Sequence, residues 1–111
     1  EIAADATVSD AVLQMAARGI SQAPVIEDGA LVGSLTENRV LARLVKNPDD
    51  RNRLVRDIMS EPFPILDRDT PLHEIASILH ESRSAVLVRT ETEGRFEILT
   101  RTDLITALAR T

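Results

Sequence analysis

The sequence predicts an α+β fold of two strand–helix–strand–strand–helix repeats, packed as a pseudo-two-fold pair. Three observations predict it. First, segments recur in order: Ile2-Ala3-Ala4-Asp5-Ala6-Thr7 overlays Ile65-Leu66-Asp67-Arg68-Asp69-Thr70, and Leu35-Thr36 overlays Leu99-Thr100. Val40, Leu41 and Leu44 likewise overlay Leu104, Ile105 and Leu108, with an offset of 63 at the start and 64 at the end. Second, helical apolar spacing alternates with short apolar runs bounded by turn residues. Third, a chain of 111 residues suits one compact domain or two small interlocked repeats, and one such repeat alone buries too little.

The elements follow in order. Thr7 caps a helix to about Arg18, with Val8, Ala11, Val12 and Met15 on one face and Gly19 as its αL stop. Val25-Ile26, opened by Pro24, and residues 31–35 form two strands around the turn Glu27-Asp28-Gly29. Thr36 starts a second helix with Val40, Leu41 and Leu44 apolar. Asn47-Pro48-Asp49-Asp50 breaks that helix and caps a short next one carrying Leu54, Val55 and Ile58. Ser60 to Pro64 is extended, because residues before proline avoid the α region. Ile65-Leu66 is a strand edge, and Thr70 caps a helix with Pro71 first and Leu72, Ile75, Ala76 and Leu79 inward. Residues 85–88 and 96–99 are strands around a polar turn, and residues 101–110 are the last helix. The repeats are expected at 1–46, its first strand partly missing, and 58–111, with a linker helix at 47–57. The start at Glu1 and the missing counterpart of Ile58 to Pro64 suggest a piece of a longer protein.

Composition narrows the function classes. Apolar residues make up 43%, but Phe63 and Phe96 are the only aromatics. The core is therefore aliphatic, and stacking platforms for single-stranded nucleic acid are absent. A net charge of −5 with scattered Lys and Arg argues against a phosphate-backbone partner. There is no cysteine, hence no thiol nucleophile, and no apolar run of membrane-spanning length. A cytoplasmic, non-membrane setting is expected. His73 and His80 lie seven apart on one helix, too far for a shared metal, and read as surface residues. Asp67, Asp69, Glu74 and Glu81 read as solvated faces, Met15 and Met59 as core filling. No catalytic constellation stands out, so an enzyme is not expected.

The central stretch is Ile98-Leu99-Thr100-Arg101-Thr102-Asp103. A strand that runs straight into a helix leaves free N–H groups at the helix start. Taken alone, Thr100-x-x-Asp103 is close to a capping box. Its duplication in the chain, with a matching strand-edge segment in the first half, points to a ligand site.

These residues resemble the CBS domain pair, the Bateman module, over essentially the whole chain. Gly19-Ile20-Ser21-Gln22-Ala23-Pro24 and Gly33-Ser34-Leu35-Thr36 carry the pattern in the first repeat. The second keeps residues 98–103 but has Ser82, Leu87 and Glu97 where Gly, Pro and Gly are usual. The resemblance implies a regulatory module that binds adenosine-containing ligands in clefts between repeats. In the main cleft Asp103 and Thr100 would hold the ribose hydroxyls, with Thr102 lining that edge. Ile20 and Ile98 would sandwich the adenine. Backbone groups of Ile20, Ser21, Gln22 and Ala23 would read its edge, presented by Pro24. The second cleft would pair Arg83 to Leu87, with Ala85 and Val86 central, against Thr36, Glu37, Asn38 and Arg39. There Arg39 stands at the Asp position and offers no acceptor, so this site is expected to be degenerate.

Gln22-Ala23-Pro24-Val25 further resembles the regulatory region of cystathionine β-synthase-type pyridoxal-phosphate enzymes, as does the run Ser84 to Arg89. That implies S-adenosylmethionine as effector, ahead of AMP and ATP, and an attached catalytic domain. Family habit adds a homodimer through the helices at 8–18 and 72–81. The alternatives are an oligomerisation module with vestigial sites, or the CBS pair of an unrelated host.

Overall fold

The structure, a computed structural model, describes residues 1–80, apart from the His80 side chain, and 85–110. It divides into two units, Glu1–Pro62 and Phe63–Thr111. Each unit holds a three-stranded sheet, and both are α+β with the expected element order.

In the first unit β1 (Ile2–Ala3) pairs in parallel with β2 (Gln22–Glu27), which pairs antiparallel with β3 (Ala30–Thr36). Helix α1 (Val8–Arg18) links β1 to β2. Its extended N-cap, Thr7, accepts the Asp10 N–H at 3.1 Å, and Gly19 ends it at φ 64°. Asp28 at φ 52° and Gly29 at φ 79° turn the β2–β3 hairpin. Two successive positive φ values match the twist of the flanking strands, which is why the two-residue turn closes here. Helix α2 (Glu37–Lys46) follows β3 without a loop, capped by Thr36.

Where a linker helix is expected over 47–57, the chain forms a 3₁₀ turn (Pro48–Asn52) and then the four-residue α3 (Val55–Ile58), which ends one residue beyond that range. Asn47 caps the turn through its side chain, with Pro48 in the first position. Asp50 is buried and takes Arg43 Nε at 3.1 Å, tying the turn to α2. The Val55 and Arg56 N–H groups donate to the carbonyls of Ala6 and Ala4 at 2.8 and 3.0 Å. Val55 and Ile58 are fully buried among Val8, Ala11 and Val40. Burial of each is worth about 1.5–3 kcal/mol, so this segment belongs to the first unit's core.

In the second unit β4 (Ile65–Leu66) pairs in parallel with β5 (Ala85–Arg89), and β5 antiparallel with β6 (Phe96–Thr100). Helix α4 (Leu72–His80) precedes β5, and α5 (Arg101–Ala109) follows β6 directly. The core gathers Ile75, Leu79, Val86 and Leu104.

Three expectations are corrected. The overlay of Ile2 on Ile65 is one residue out: Ile2 pairs with Val25 but Leu66 with Val88. The hairpin registers put Val25 opposite Gly33 and Val88 opposite Glu97, so Leu66 is the counterpart of Ile2. Leu66 accordingly packs on the core, while Ile65 is exposed. Secondly, the Pro71 carbonyl accepts from Ile75 at 3.2 Å, which places the α4 cap at Pro71 rather than Thr70. Thirdly, Leu72, expected inward, is exposed, as are the apolar helix residues Leu41, Ile105 and Leu108. Apolar spacing marks a stripe wider than the strip each helix covers. Among the described residues no helix is long and apolar enough to cross a membrane.

Candidate functional site

Each unit carries a strand-to-helix junction beside the start of its middle strand. In the second unit β6 runs into α5 at Thr100, in extended conformation at φ −111° and ψ 172°. The Asp103 N–H donates to Thr100 Oγ1 at 3.3 Å. The Thr100 N–H and hydroxyl donate to Asp103 Oδ2 at 2.9 and 3.0 Å. Thr100 and Asp103 thus form a reciprocal capping box, and both bonds to the carboxylate fall on one oxygen. The negative charge also sits at the positive end of the α5 dipole. Asp103 and Thr102 are exposed and Thr100 half-buried. Ile98, two residues before the junction, is 38% exposed. These four residues share one strand end and one helical turn.

Arg101 is the cation next in sequence to this junction. Its Nε donates to the Leu79 carbonyl in the last turn of α4, so the guanidinium is drawn to that helix end. An open apolar groove between α4 and α5, lined by Ala76, Leu79, Leu104 and Ile105, also includes Arg101. It contains none of Ile98, Thr100, Thr102 and Asp103.

In the first unit Ile20, Ser21, Gln22 and Ala23 lie where the turn after α1 enters β2. Ala23 is buried, Ile20 and Gln22 half-buried, and Ser21 exposed. The Ile20 N–H donates to the Met15 carbonyl, and the Ser21 carbonyl accepts from Glu37 at 2.9 Å. Those two backbone groups, expected to help read an adenine edge, are held inside the unit. The remaining backbone groups at the β2 entrance carry that expectation.

The second candidate set divides the same way. Thr36 is half-buried and Arg39 exposed in the first unit, while Ala85 and Val86 are fully buried in the second. Neither Ala85 nor Val86 has surface left for a ligand. The Arg39 N–H donates to Thr36 Oγ1 at 3.1 Å, so the cap forms without an acid at that position. The Arg39 Nε donates to the Ile58 carbonyl at 2.9 Å. Ser82, Arg83 and Ser84, together with Glu81 and the His80 side chain, lie outside the described residues. His73 is exposed. Among the described residues no group of three or more acidic or histidine side chains is arranged for a metal ion.

Sequence reasoning missed the segment that follows α3. The Ser34 N–H donates to the Ser60 carbonyl at 3.0 Å, and the Ser60 N–H to the Ser34 carbonyl at 2.9 Å. Ser34 Oγ also donates to the Glu61 carbonyl at 2.6 Å. A β-carbon on Gly33 would overlap the Met59 sulfur and lie 2.8 Å from the Ser60 carbonyl oxygen. Residues 58–61 therefore form a strap over β3 and hold Arg39 beside it. The signal was Gly33 itself, since glycine within a strand marks close approach of another chain segment.

Known proteins share this fold. The CBS domain pattern matches residues 2–46 and 55–110. A protein with CBS domains from Burkholderia ambifaria, described as a signal-transduction protein, superposes with a TM-score of 0.86 at 19% identity; the match covers 98% of this chain and 81% of that one. CBSX2 of Arabidopsis thaliana in complex with AMP superposes at 0.77 with 23% identity, covering 98% and 86%. In sequence, the chain is 29% identical over 103 residues to the A-adding tRNA nucleotidyltransferase of Aquifex aeolicus. That match spans 92% of this chain and 12% of the relative's length. Two matched segments, each with its own sheet and its own strand-to-helix junction, show that the chain belongs to the CBS-domain family and carries a pair of CBS domains.

Proposed function

We propose that this CBS pair is a non-catalytic regulatory module that binds one adenosine-containing ligand. One observation carries the reading: Asp103 is exposed, oriented by the Thr100 cap, and among the described residues bonded through Oδ2 alone, which leaves Oδ1 for a ribose diol. Ile98 supplies apolar surface two residues upstream. By the family resemblance Ile20, Ser21, Gln22 and Ala23 would contribute to the same ligand set, with Thr102 at the edge of the Asp103 junction. The set of Thr36, Arg39, Ala85 and Val86 is degenerate. Arg39 offers no acceptor, and its guanidinium is anchored on the Ile58 carbonyl.

The ligand order is S-adenosylmethionine, then AMP, then ATP. A triphosphate needs converging cations, and Arg101 is drawn to the end of α4. The Asp103 charge favours a cationic sulfonium over a polyanion at short range. The AMP complex of the similar CBSX2 protein supports the adenosine part of this order. Titration calorimetry with the three ligands at one salt concentration tests it. S-adenosylmethionine is expected to bind tightest, and a ten-fold preference for AMP or ATP overturns the order. No heat from any ligand at millimolar concentration favours an oligomerisation module with vestigial sites.

The Gln22-Ala23-Pro24-Val25 segment supports a cytoplasmic pyridoxal-phosphate lyase of the cystathionine β-synthase type as the attached catalytic domain. The likeness to one part of a tRNA nucleotidyltransferase favours a second reading, an unrelated host. Exposed Leu13 on α1 and Leu72 on α4 support a homodimer through those helices, which sedimentation distinguishes from a monomer.

A further inference from the structure

We propose that Met59 is an oxidation site whose state sets how firmly residues 58–61 are held on β3. The chain contains no cysteine and two methionines, so its sulfur redox chemistry rests on Met15 and Met59 alone. The two differ in setting. Met15 is 3% exposed inside the first core, whereas Met59 is half-buried at the core's margin. Accessibility governs thioether oxidation, so a peroxide reaches Met59 first.

The sulfur of Met59 rests against Gly33, where there is no room even for a methyl group. Oxidation takes one oxygen atom from hydrogen peroxide and leaves water. The peroxide O–O bond breaks, an S–O bond forms, and sulfur gives up two electrons. The product is a polar, bulkier sulfoxide in place of a soft apolar thioether. Its S–O dipole favours water over the apolar packing against Gly33, so the side chain is drawn out of that contact. The adjacent Ser34–Ser60 bridge, at 3.0 and 2.9 Å, is the pairing that gives way. Ile58 directly precedes Met59, so the anchor of Arg39 on the Ile58 carbonyl loosens in the same event. The step is reversible by methionine sulfoxide reductase, as expected of a regulatory modification.

The test treats the chain with hydrogen peroxide and reads oxidation by peptide mass spectrometry and exchange of the Ser34 and Ser60 amides by NMR. Met59 is expected to oxidise several-fold faster than Met15, and the two amides to exchange about ten-fold faster afterwards, since local opening is governed by local contacts. Reductase treatment is expected to restore slow exchange. Met59→Leu removes the target, and its two amides are expected to ignore peroxide. Met15→Leu confines the chemistry to Met59, so the proposal stays testable if Met59→Leu does not fold. Oxidation of Met15 first, equal rates at the two sulfurs, or unchanged exchange in the Met59 sulfoxide each overturn it.

Discussion

Strands β3 and β6 occupy the same place in their repeats and meet different surroundings. On β3, Gly33 and Ser34 lie under a strap; Ser34 is 4% exposed and bonded on both backbone groups. On β6 the counterparts are Glu97 and Ile98, both exposed. The contrast extends inward. Ile2 is 1% exposed, while its counterpart Leu66 is half-buried. The first repeat is built round a deep aliphatic core reinforced by α3. Among the described residues, the second keeps a smaller core and an open strand edge next to an oriented carboxylate. A duplicated unit can thus divide its tasks, with packing concentrated in one copy and an accessible acceptor in the other.

The largest expected effect tests the cores. Leu35 is fully buried, and its counterpart Leu99 is half-buried. Leu35→Ala is expected to cost about 2–5 kcal/mol in urea denaturation. Leu99→Ala should cost under about 2 kcal/mol, because less area leaves water. Equal losses would mean that the two cores are alike in energy.

Next comes the acceptor. Asp103→Ala is expected to weaken adenosyl-ligand binding by about 1.5–3 kcal/mol, the range for a hydrogen bond to a charged group. Arg39→Ala should change it by under about 0.5 kcal/mol, as for a surface charge. Calorimetric titration of both variants reads the difference, and matching losses would abolish the proposed asymmetry.

The smallest effect concerns the strand edges. Gly33→Ala forces a methyl group into the Met59 sulfur and the Ser60 carbonyl, at a cost of about 1–3 kcal/mol by thermal or urea unfolding. Glu97→Ala on the open edge should stay within about 0.5 kcal/mol of the parent. A neutral Gly33→Ala would show that the strap has room to move.

Much of this was legible in the residues because it is local. Thr7 and Gly19 bracket α1, Asp28-Gly29 turns the hairpin, and Thr36 and Thr100 open their helices without a loop. Each rests on contacts within a few positions. The one-residue slip at Ile65-Leu66 was not legible. Both residues are apolar, and only pairing with β5 decides which faces inward. Nor was the exposure of Leu41 and Ile105 legible, since helical spacing does not say how much of an apolar stripe finds a partner. At the candidate site the junction residues could be named from sequence, but the directions of Arg39 and Arg101 could not. Each guanidinium sits on a long flexible stem and settles on a carbonyl about twenty positions away, Ile58 or Leu79.

The reciprocal bond between Thr100 and Asp103 makes one carboxylate answer to two masters. A ligand that takes only Oδ1 leaves the first turn of α5 intact and adds its affinity in full. A ligand that competes for Oδ2 strips the Thr100 N–H of its acceptor, and part of its affinity is spent on fraying the helix start. Two ligands with the same number of contacts can therefore differ in grip by the worth of one cap, about 1 kcal/mol. They also leave α5 in different states of order. If Asp103 holds the ligand as proposed, the identity of the bound molecule would be translated into the stiffness of a helix, a signal that needs no displacement of the backbone to be transmitted.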